Sequence, residues 1–555
     1  MNWLIRLLLR CKMFWVGRTA WRALVQRAKE PRDAQMELLL SILRRNQGTT
    51  FGRERGFEDI DSYASYVEQV AVQDYESLRP YIDKQEREKT PELNSENPRL
   101  YAQTSGTTGD PKLVPILEHT VKNYKRSQGL VTYANSVACP GVYDGKVLAI
   151  TSPHVEGRLE TGTAFGSMSG LLSKSMPRLT RKKYVLPGAL LDIENYQAKY
   201  YLIGAFALAE REISFMGTAN PSTVLKLAET ISAHRAQLIS DVRTGDLSNV
   251  FDLDAEQFAE VNKSFAASPS RADELEAILN EGEVLNFHAL WPDLKTLSVW
   301  TGGSVGVLIP EVERLLRGQV RVVELGYLSS EFRGSINVDP IRKLCIPTIH
   351  ESFFEFVPVD EHGEGEMRFL LVDELEQGQQ YYVYVTTQEG LYRYFMNDIV
   401  EVDGFFHQTP SIQFVQKGKG VVNLTGEKLY EGQVIEAVER LRTAMNLNFD
   451  FFILLGDERE LQYTLYIDCE SASRTEVSAV FEEALRELSV EFDAKRESQR
   501  LKETRVSFVS SGTYEAYKEH CIAKGQREGQ FKYMVLQYER ECDFDFADYG
   551  LEATL

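Results

Sequence analysis

Residues 294–303 read LKTLSVWTGG, an apolar strand-like run that ends in two glycines, and residues 146–153 read KVLAITSP, a second run of the same kind. Longer stretches with helical patterning lie between and around them, such as residues 221–242 and 271–282. Strand-like runs that alternate with helices are typical of an α/β domain with a buried sheet. The sequence therefore predicts the α/β class for the centre of the chain.

The regions on either side of this centre have different patterns. Residues 1–90 are expected to form a helical segment with short connections. Between 350 and 416 the segments FFEFVPV, MRFLLV, QQYYVYVTT, LYRYF and DIVEVDGFF follow one another, which predicts an antiparallel sheet or a partly closed barrel. Residues 417–428, KGKGVVNLTGEK, have glycines on both sides of a short strand and form the predicted hinge.

The segment after the hinge has the pattern of a small α+β module. Its predicted elements are a helix at about 431–445, two strands, a long helix at 474–497, a further strand and a helix at 513–524. A module of this size can fold as its own domain. We therefore predict a large N-terminal domain, residues 1–418 with a β-barrel-like subdomain at 350–416, and a smaller mobile C-terminal domain, residues 419–555.

Composition and charge exclude several classes of protein. The 555 residues include 62 lysines and arginines against 82 aspartates and glutamates, a net charge of −20 that opposes binding to nucleic-acid phosphates. The six cysteines form no CxxC pair and the eight histidines form no HExxH motif, so neither a zinc site nor a disulfide framework is expected. No apolar run reaches the roughly 18 residues of a membrane-spanning helix. We expect a cytoplasmic protein without a nucleic-acid partner.

The first thirty residues differ from this acidic average. They hold seven basic residues and one acidic residue, Glu30, a net charge of +6. Their large apolar residues and one cysteine recur at helical spacing: Trp3, Leu4, Leu7, Leu8, Cys11, Phe14 and Trp15. Such a helix either lies weakly on an anionic membrane surface or packs on its own protein, and the second is favoured because apolar helix stripes usually face a core.

A loop motif, TSGTTGDPK, occupies residues 104–112. It supplies four hydroxyl side chains and two glycines that let a backbone approach a ligand closely: Thr104, Ser105, Thr107, Thr108, Gly106 and Gly109. Such a loop suits a polyphosphate and differs from the Walker pattern, whereas the alternative is a polar surface turn. Lys112 either assists in phosphate binding or is an exposed lysine after a turn.

The loop resembles the phosphate loop of the adenylate-forming superfamily, and the rest of the chain narrows the resemblance. Segments along nearly the whole chain resemble, in order, the Gretchen Hagen 3 (GH3) family of acyl acid amido synthetases, first known as auxin-responsive plant proteins and also present in bacteria. These segments are TTFGRERGF at 49–57, WPDLKTLSVWTGG at 291–303, GYLSSEFRGSINVD at 326–339, FFEF at 353–356, YRYFMNDIVEV at 392–402 and TGEKLYE at 425–431.

The resemblance implies a ligase that uses ATP and Mg²⁺ to activate a small carboxylic acid as its acyl adenylate. The acyl group would then pass to an amine, an amino acid in particular, to form an amide, and we expect the enzyme to be a monomer. A rival enzyme of the same superfamily is an acyl-CoA ligase, which shares the first half-reaction. A third alternative is a binding or membrane-associated protein whose nucleotide site no longer turns over.

The resemblance also implies roles for residues of the phosphate loop and of GYLSSE. Thr104, Ser105, Gly106, Thr107 and Thr108 would hold the phosphates. In GYLSSE, Tyr327 would stack on or contact the adenosine, and Glu331 would be the catalytic carboxylate that holds Mg²⁺. The alternative for SSE is a cap at the N-terminus of a helix.

Two further positions complete the implied site. Asp398 would accept hydrogen bonds from the ribose hydroxyls, and Asn397 beside it stands where the family usually has a glycine. Lys532 would be the catalytic lysine of the C-terminal domain that reaches the α-phosphate and the carboxylate. Tyr533 and Met534 follow it in place of the usual proline.

Overall fold

The computed structural model describes residues 3–551 except 105–111, 152–154, 156, 175, 194, 281–284, 319, 363–366, 419, 448, 450, 470–472 and 525–533. By its contacts the chain divides into two compact units. The first comprises residues 1–103 and 113–415, and the second comprises residues 104–112 and 416–555.

The described elements of the first unit are helices and mostly short strands. The helices are α1 (Trp3–Val16), α2 (Arg22–Lys29), α3 (Pro31–Asn46), α4 (Thr50–Glu54), α5 (Tyr63–Gln69), α6 (Tyr75–Glu88), α7 (Glu118–Ala138), α8 (Met168–Lys174), α9 (Arg178–Arg181), α10 (Gly188–Leu191), α11 (Tyr196–Ala209), α12 (Pro221–Ala233), α13 (Arg235–Thr244), α14 (Ala255–Asn262), α15 (Pro269–Asn280), α16 (Phe287–Leu290) and α17 (Ile309–Leu316). The strands are β1 (Leu100–Thr104), β2 (Lys112–Ile116), β3 (Lys146–Ala149), β4 (Gly157–Arg158), β5 (Ala164–Phe165), β6 (Ile213–Gly217), β7 (Thr296–Val299), β8 (Arg321–Glu324), β9 (Ser335–Asp339), β10 (Leu344–Pro347), β11 (Ser352–Pro358), β12 (Gln380–Thr387), β13 (Tyr394–Phe406) and β14 (Thr409–Lys417).

A parallel sheet lies at the centre of the first unit. Its strand order is β3-β6-β7-β8, and every neighbouring pair is parallel. Leu148, Met216 and Leu297 of this sheet are fully buried among the helices around it. The predicted run at 146–153 thus contains β3, the run at 294–303 contains the buried strand β7, and the α/β class is confirmed.

The long helix predicted at 221–242 is wrong as one continuous helix. The structure has α12 and α13 there, and they are separated at His234, whose backbone leaves the helical region. The His234 ring packs edge-on against the ring of Tyr201, with 5.4 Å between the ring centroids. Because Tyr201 belongs to another helix, α11, the periodicity of residues 221–242 does not predict this contact.

A second, antiparallel sheet has the strand order β11-β12-β13-β14. It holds most of the strands predicted between 350 and 416, but the segment MRFLLV is not one of them. Leu370 makes only an isolated bridge to Phe356, and the amide of Leu371 donates to the Glu374 carboxylate at 2.8 Å. A side chain thus satisfies the backbone that a ladder would otherwise pair.

A buried ion pair joins β11 to the residue that precedes β13. Glu355 of β11 accepts hydrogen bonds from Nε of Arg393 at 3.0 and 3.2 Å, and Nη2 of Arg393 lies 2.9 Å from its Oε1. Tyr63 donates to the same carboxylate at 2.9 Å, and Arg393 also donates to the carbonyl of Val70 at 3.0 Å. Both charged side chains are almost completely buried. Glu355 of the FFEF motif and Arg393 of the YRYF motif therefore belong to one buried polar network.

The aromatic residues of TTFGRERGF pack on the same place. Phe51 stacks on Tyr392 with 4.9 Å between the centroids, and Phe57 meets the same ring edge-on at 5.0 Å. The residue after Tyr392 is Arg393. The N-terminal helices thus fix the start of β13 from one side while Glu355 fixes it from the other.

The second unit contains its own mixed sheet. Its elements are β15 (Val421–Val422), β16 (Leu429–Tyr430), α18 (Glu431–Met445), β17 (Phe452–Asp457), β18 (Gln462–Ile467), α19 (Arg474–Leu488), α20 (Val490–Glu497), β19 (Arg505–Phe508), α21 (Thr513–Ala523) and β20 (Leu536–Tyr538). The sheet order is β19-β18-β17-β20. The helix predicted at 431–445 is confirmed, whereas the helix predicted at 474–497 is two helices because Ser489 caps the second through the amide of Phe492.

The N-terminal helix does not pack as the sequence suggests. Met13 is buried, but Leu7, Leu8, Phe14 and Trp15 are exposed. The expectation that the apolar residues of α1 face the protein is therefore wrong for these four side chains. Within the described ranges, no helix combines the length and hydropathy needed to cross a bilayer.

We predict that Arg393→Ala destabilises the first unit by about 3–5 kcal/mol, because it leaves the Glu355 carboxylate buried without its counter-charge. Urea unfolding followed by circular dichroism measures the change. The control is Arg368→Ala, which removes an exposed pair with Glu361 and should cost less than about 1 kcal/mol. Equal effects of the two substitutions would contradict the assigned role of the buried pair.

Candidate functional site

Three loops meet where β6, β7 and β8 end. The amide of Trp300, just after β7, donates to the carbonyl of Ala219 in the loop after β6 at 2.9 Å. The indole of Trp300 donates to the carbonyl of Gly326, in the loop after β8, at 3.0 Å. The carboxyl ends of parallel strands are where open α/β sheets bind ligands. Trp300 therefore joins the three loops at the expected place.

Glu324, the last residue of β8, holds two of these loops together. Its Oε2 accepts hydrogen bonds from the amide and the hydroxyl of Thr301 at 2.7 and 2.5 Å. Its Oε1 accepts from the amide of Gly326 at 2.8 Å. Gly326 has φ +97°, a conformation that glycine adopts without strain. The sequence does not predict this role of Glu324, because the pattern of the run RVVEL does not indicate that its carboxylate binds two loops.

Tyr327 lies directly after Gly326, and its ring is closely packed by Phe414 and Gly334. Its ring stacks on Phe414 of β14, with 5.9 Å between centroids and 17° between the planes. A Cβ added to Gly334 would lie only 2.1 Å from the Tyr327 ring, so the position requires glycine. The amide of Tyr327 donates to the hydroxyl of Ser335 at 2.8 Å. The ring is thus held in one orientation.

Asp398 reaches this ring because β13 bulges. Tyr382 of β12 pairs with Ile399, whereas Tyr384 pairs with Phe395, so residues 396–398 face the single residue 383. A bulge bends a strand and redirects its side chains. Asn397 in this bulge has φ +50°, a left-handed conformation that favours glycine and that asparagine tolerates. The departure from the family pattern at Asn397 therefore suits the local backbone.

The hydroxyl of Tyr327 donates to Oδ2 of Asp398. Both side chains are buried, with relative exposures of 6% and 1%. Burial, together with the negative charge of Asp398, raises the pKa of Tyr327 well above its usual value. The phenol therefore stays protonated and remains a hydrogen-bond donor at any physiological pH.

Glu331 lies in the same loop, and its charge contributes to the raised pKa of Tyr327. The loop is a tight turn in which the amide of Ser329 donates to the carbonyl of Phe332 at 3.1 Å, and Leu328 bridges to Arg333. No helix follows it in the described residues 328–334, so the alternative that SSE caps a helix is wrong. The structure brings Tyr327, Glu331 and Asp398 together.

The Glu331 carboxylate is compatible with a role as a ligand of a magnesium ion. In the part of the chain that the structure describes, no three histidine, cysteine, aspartate or glutamate side chains cluster as metal ligands. Magnesium commonly uses one or two carboxylates and takes its other ligands from substrate phosphates and water. Glu331, a carboxylate that is 8% exposed, fits that pattern.

A buried polar cluster that sequence reasoning missed lies beside this loop. The Ser127 hydroxyl of α7 contacts Nε2 of His350 at 2.8 Å and donates to the Glu351 carboxylate. Burial alone would raise the pKa of Glu351, but hydrogen bonds from His350 and Ser127 and the charge of Arg333 lower it overall. The Arg333 guanidinium also lies 4.9 Å from the centroid of the Tyr124 ring. The cluster connects α7 to the residue two positions after Glu331.

Several predicted site residues lie outside the described residues, namely Ser105, Gly106, Thr107, Thr108 and Lys532. The flanking residues are described: Thr104 ends β1 and Lys112 begins β2. Lys112 is 9% exposed, and its ammonium lies 5.5 Å from the centroid of the Tyr430 ring. The alternative that Lys112 is an exposed lysine is therefore wrong.

Two glutamates organise the second unit near these flanks. Glu427 is fully buried and accepts hydrogen bonds from the amides of Leu424 and Thr425 and from the hydroxyl of Tyr463 at 2.6–2.7 Å. Glu431 begins α18, and its carboxylate accepts from the amide of Val535 at 2.9 Å. The chain three residues after Lys532 is thus attached to the start of α18.

Comparison with known protein families gives consecutive matches along the chain. The GH3 family N-terminal domain matches residues 20–320, the GH3 family central domain residues 345–417 and the GH3 family C-terminal domain residues 432–541. The chain belongs to the GH3 family. The predicted family is therefore confirmed.

Curated relatives of this GH3 chain are similar over most of its length. Indole-3-acetic acid-amido synthetase GH3.4 of Arabidopsis thaliana is 24% identical over 550 residues, which cover 91% of this chain and 89% of the relative. Probable indole-3-acetic acid-amido synthetase GH3.2 of Oryza sativa subsp. japonica is 25% identical over 547 residues, covering 90% and 87%.

Solved structures give the same result for the fold. The GH3.15 acyl acid amido synthetase superimposes with a TM-score of 0.66 at 22% identity and covers 96% of each chain. A 2-hydroxyisobutyryl-CoA ligase gives a TM-score of 0.52 at 13% identity, covering 92% of this chain and 91% of the ligase. These likenesses confirm the predicted α/β fold with a smaller α+β C-terminal domain.

We predict that Asp398→Asn lowers kcat/KM for ATP by about 10- to 100-fold, because a hydrogen bond to a charged acceptor becomes one to a neutral acceptor. Asparagine keeps the shape of the side chain and can still accept the Tyr327 hydroxyl. Pyrophosphate release at varied ATP concentration measures the effect.

The matched control for Asp398→Asn is Asp403→Asn, an exposed aspartate on the same strand, which should leave kcat/KM within about twofold. Circular dichroism establishes that both variants are folded. An unchanged kcat/KM for ATP in folded Asp398→Asn would exclude Asp398 from the nucleotide subsite.

Proposed function

We propose that this GH3 chain is an acyl acid amido synthetase, which activates a small carboxylic acid as its acyl adenylate and transfers the acyl group to the amine of an amino acid. The single observation that carries the proposal is the Tyr327–Asp398 hydrogen bond, formed at the carboxyl end of a parallel sheet with Glu331 in the same loop. The relatives supply the reaction class, since their names describe amido synthetases.

In the first half-reaction, a carboxylate oxygen of the acid attacks the α-phosphorus of ATP and pyrophosphate leaves. Asp398 accepts hydrogen bonds from the ribose hydroxyls, which orients the nucleoside. Because the Tyr327 hydroxyl is bound to Oδ2 of Asp398, the ribose hydroxyls share the carboxylate with the phenol. Tyr327 contacts the adenosine, and the hydroxyl-rich loop from Thr104 to Thr108 binds the phosphates.

Developing negative charge on the phosphate oxygens requires positive groups that are already in place. Glu331 would hold Mg²⁺ through its carboxylate, and the ion would supply part of this positive charge when bound. Lys532 contributes an ammonium at the α-phosphate and the carboxylate. Among the described residues, Val535 is attached to Glu431 at the start of α18.

In the second half-reaction, the amine attacks the acyl carbonyl carbon and AMP leaves. The domain boundary near residue 418 would let a mobile C-terminal domain serve both half-reactions in turn. The second unit has its own hydrophobic core, including Leu441, Leu465 and Phe481, which supports independent folding. The proposal includes a monomer in the cytoplasm, and the free thiols of the cysteines are consistent with a reducing compartment.

Purified full-length protein should be incubated with ATP, Mg²⁺, a panel of aromatic and aliphatic acids that includes indole-3-acetic acid, and the common amino acids. We expect pyrophosphate and AMP in equal amounts and an amide detectable by mass spectrometry. Formation of acyl-CoA alone when coenzyme A is added would favour the ligase alternative. Absence of pyrophosphate with every acid would indicate a site without turnover.

We predict that Glu331→Gln raises the Mg²⁺ concentration needed for half-maximal activity by about tenfold or more, because a neutral amide is a poorer ligand for a hard cation. Pyrophosphate release at fixed ATP and varied Mg²⁺ measures the shift. Glu313→Gln, on the exposed side of α17, is the control. A reduced kcat with an unchanged Mg²⁺ requirement would assign Glu331 a role other than metal binding.

A further inference from the structure

Helix α1 exposes a stripe of large apolar side chains. The relative exposures are 46% for Leu7, 45% for Leu8, 58% for Phe14 and 68% for Trp15, and Cys11 between them is also exposed. Of the eleven large hydrophobic residues that are exposed in the described part of the chain, four lie on this one helix of 14 residues. Single exposed apolar residues are ordinary, but such a cluster indicates a binding surface.

The stripe occupies one side of the helix. At 3.6 residues per turn, the five exposed positions fall within an arc of roughly 120°. Met13 and Val16 lie on the opposite side, where Met13 is buried and Val16 packs on the core that contains Leu130 of α7. The helix therefore has two apolar faces, and the fold uses only one of them.

The helix is held so that the stripe faces outward. The guanidinium of Arg10 pairs with Asp144 at 3.4 Å. After α1 the chain forms a π-helical turn, Gly17–Trp21, and the Trp21 ring packs against Tyr133 of α7 with 5.1 Å between centroids. These attachments to α7 and to the segment before β3 keep the opposite side, with Phe14 and Trp15, in solvent.

Basic residues accompany the stripe. Lys12 and Arg18 are exposed beside it, and the Arg18 guanidinium lies 4.6 Å from the centroid of the Phe14 ring. Residues 1–30 carry a net charge of +6 in a chain whose total is −20. Charges act over a Debye length of about 8 Å at physiological ionic strength, so the local charge governs what approaches α1.

We propose that α1 docks the protein on an anionic lipid bilayer, with Leu7, Leu8, Phe14 and Trp15 inserted at the boundary between headgroups and acyl chains. Lys12 and Arg18 then contact the lipid phosphates. An apolar face with aromatic residues and flanking lysines and arginines is the pattern of a helix that lies in the membrane interface. A second copy of the chain fits this face less well, since two segments of charge +6 would meet.

The docking surface does not depend on the adenylation chemistry, because none of its residues belongs to the proposed site. The proposed docking surface and the proposed function can therefore be refuted by different results. A protein that binds vesicles without releasing pyrophosphate would refute the proposed function and leave the docking surface intact.

Flotation of the full-length protein with vesicles of phosphatidylcholine and phosphatidylglycerol, against vesicles of phosphatidylcholine alone, tests the proposal. We expect binding to the anionic vesicles that weakens as salt rises from 0.1 to 0.5 M, as electrostatic attraction requires. Phe14→Ser with Trp15→Ser should lower the vesicle affinity at least about tenfold, because two inserted apolar side chains are lost. Lys12→Glu with Arg18→Glu should abolish the preference for anionic lipid.

Matched controls distinguish this face from general surface hydrophobicity. Ile341→Ser and Val490→Ser remove side chains that are 65% and 60% exposed elsewhere, and they should leave vesicle binding unchanged. Failure of the wild-type protein to float with anionic vesicles at 0.1 M salt would overturn the proposal, as would binding that is insensitive to both α1 variants. A dimer detected by light scattering without vesicle binding, and lost in Phe14→Ser with Trp15→Ser, would assign the face to a second copy instead.

Discussion

The hydrogen bond from Tyr327 to Asp398 is the interaction on which the rest of the site depends. It joins the loop after the last strand of the parallel sheet to the bulge in β13, two places 71 residues apart in the chain. Each partner needs its own support. Glu324 and Gly334 fix the loop and the ring, whereas the left-handed Asn397 turns Asp398 toward the phenol.

The start of β13 is fixed from further away. The Glu355–Arg393 pair and the stack of Phe51 on Tyr392 hold the residues just before the bulge. Charged groups in a low-dielectric interior are stable only when they are paired and hydrogen-bonded, which gives the network a single satisfied arrangement. The motifs TTFGRERGF, FFEF and YRYF thus serve the site indirectly, because they set the strand that carries Asp398.

The sequence predicts those parts of this architecture that local patterns determine. Strands β3 and β7 and helix α18 follow from apolar runs and periodicity that a short stretch of sequence contains. The breaks at His234 and Ser489 and the loss of the MRFLLV strand depend on particular side-chain contacts that periodicity does not describe. The approach of Asp398 to Tyr327 is long-range as well, so only the family resemblance could connect these residues in advance.

The two faces of α1 also show what local sequence patterns cannot predict. Periodicity predicts an amphipathic helix there, but only the position of α7 decides which face is covered and which remains in solvent. A basic apolar surface on an acidic protein would concentrate it at an anionic bilayer. The proposed docking surface and the proposed chemistry are therefore compatible, although each rests on different residues.

The central claim is that the acid attacks the α-phosphorus of ATP, and isotope transfer tests it most directly. The protein is given an acid whose carboxylate carries oxygen-18, together with ATP, Mg²⁺ and an amino acid, and the nucleotide products are analysed by mass spectrometry. The account predicts AMP that carries one oxygen-18 atom from the carboxylate. Transfer of the label to inorganic phosphate, with ADP as the nucleotide product, would contradict it.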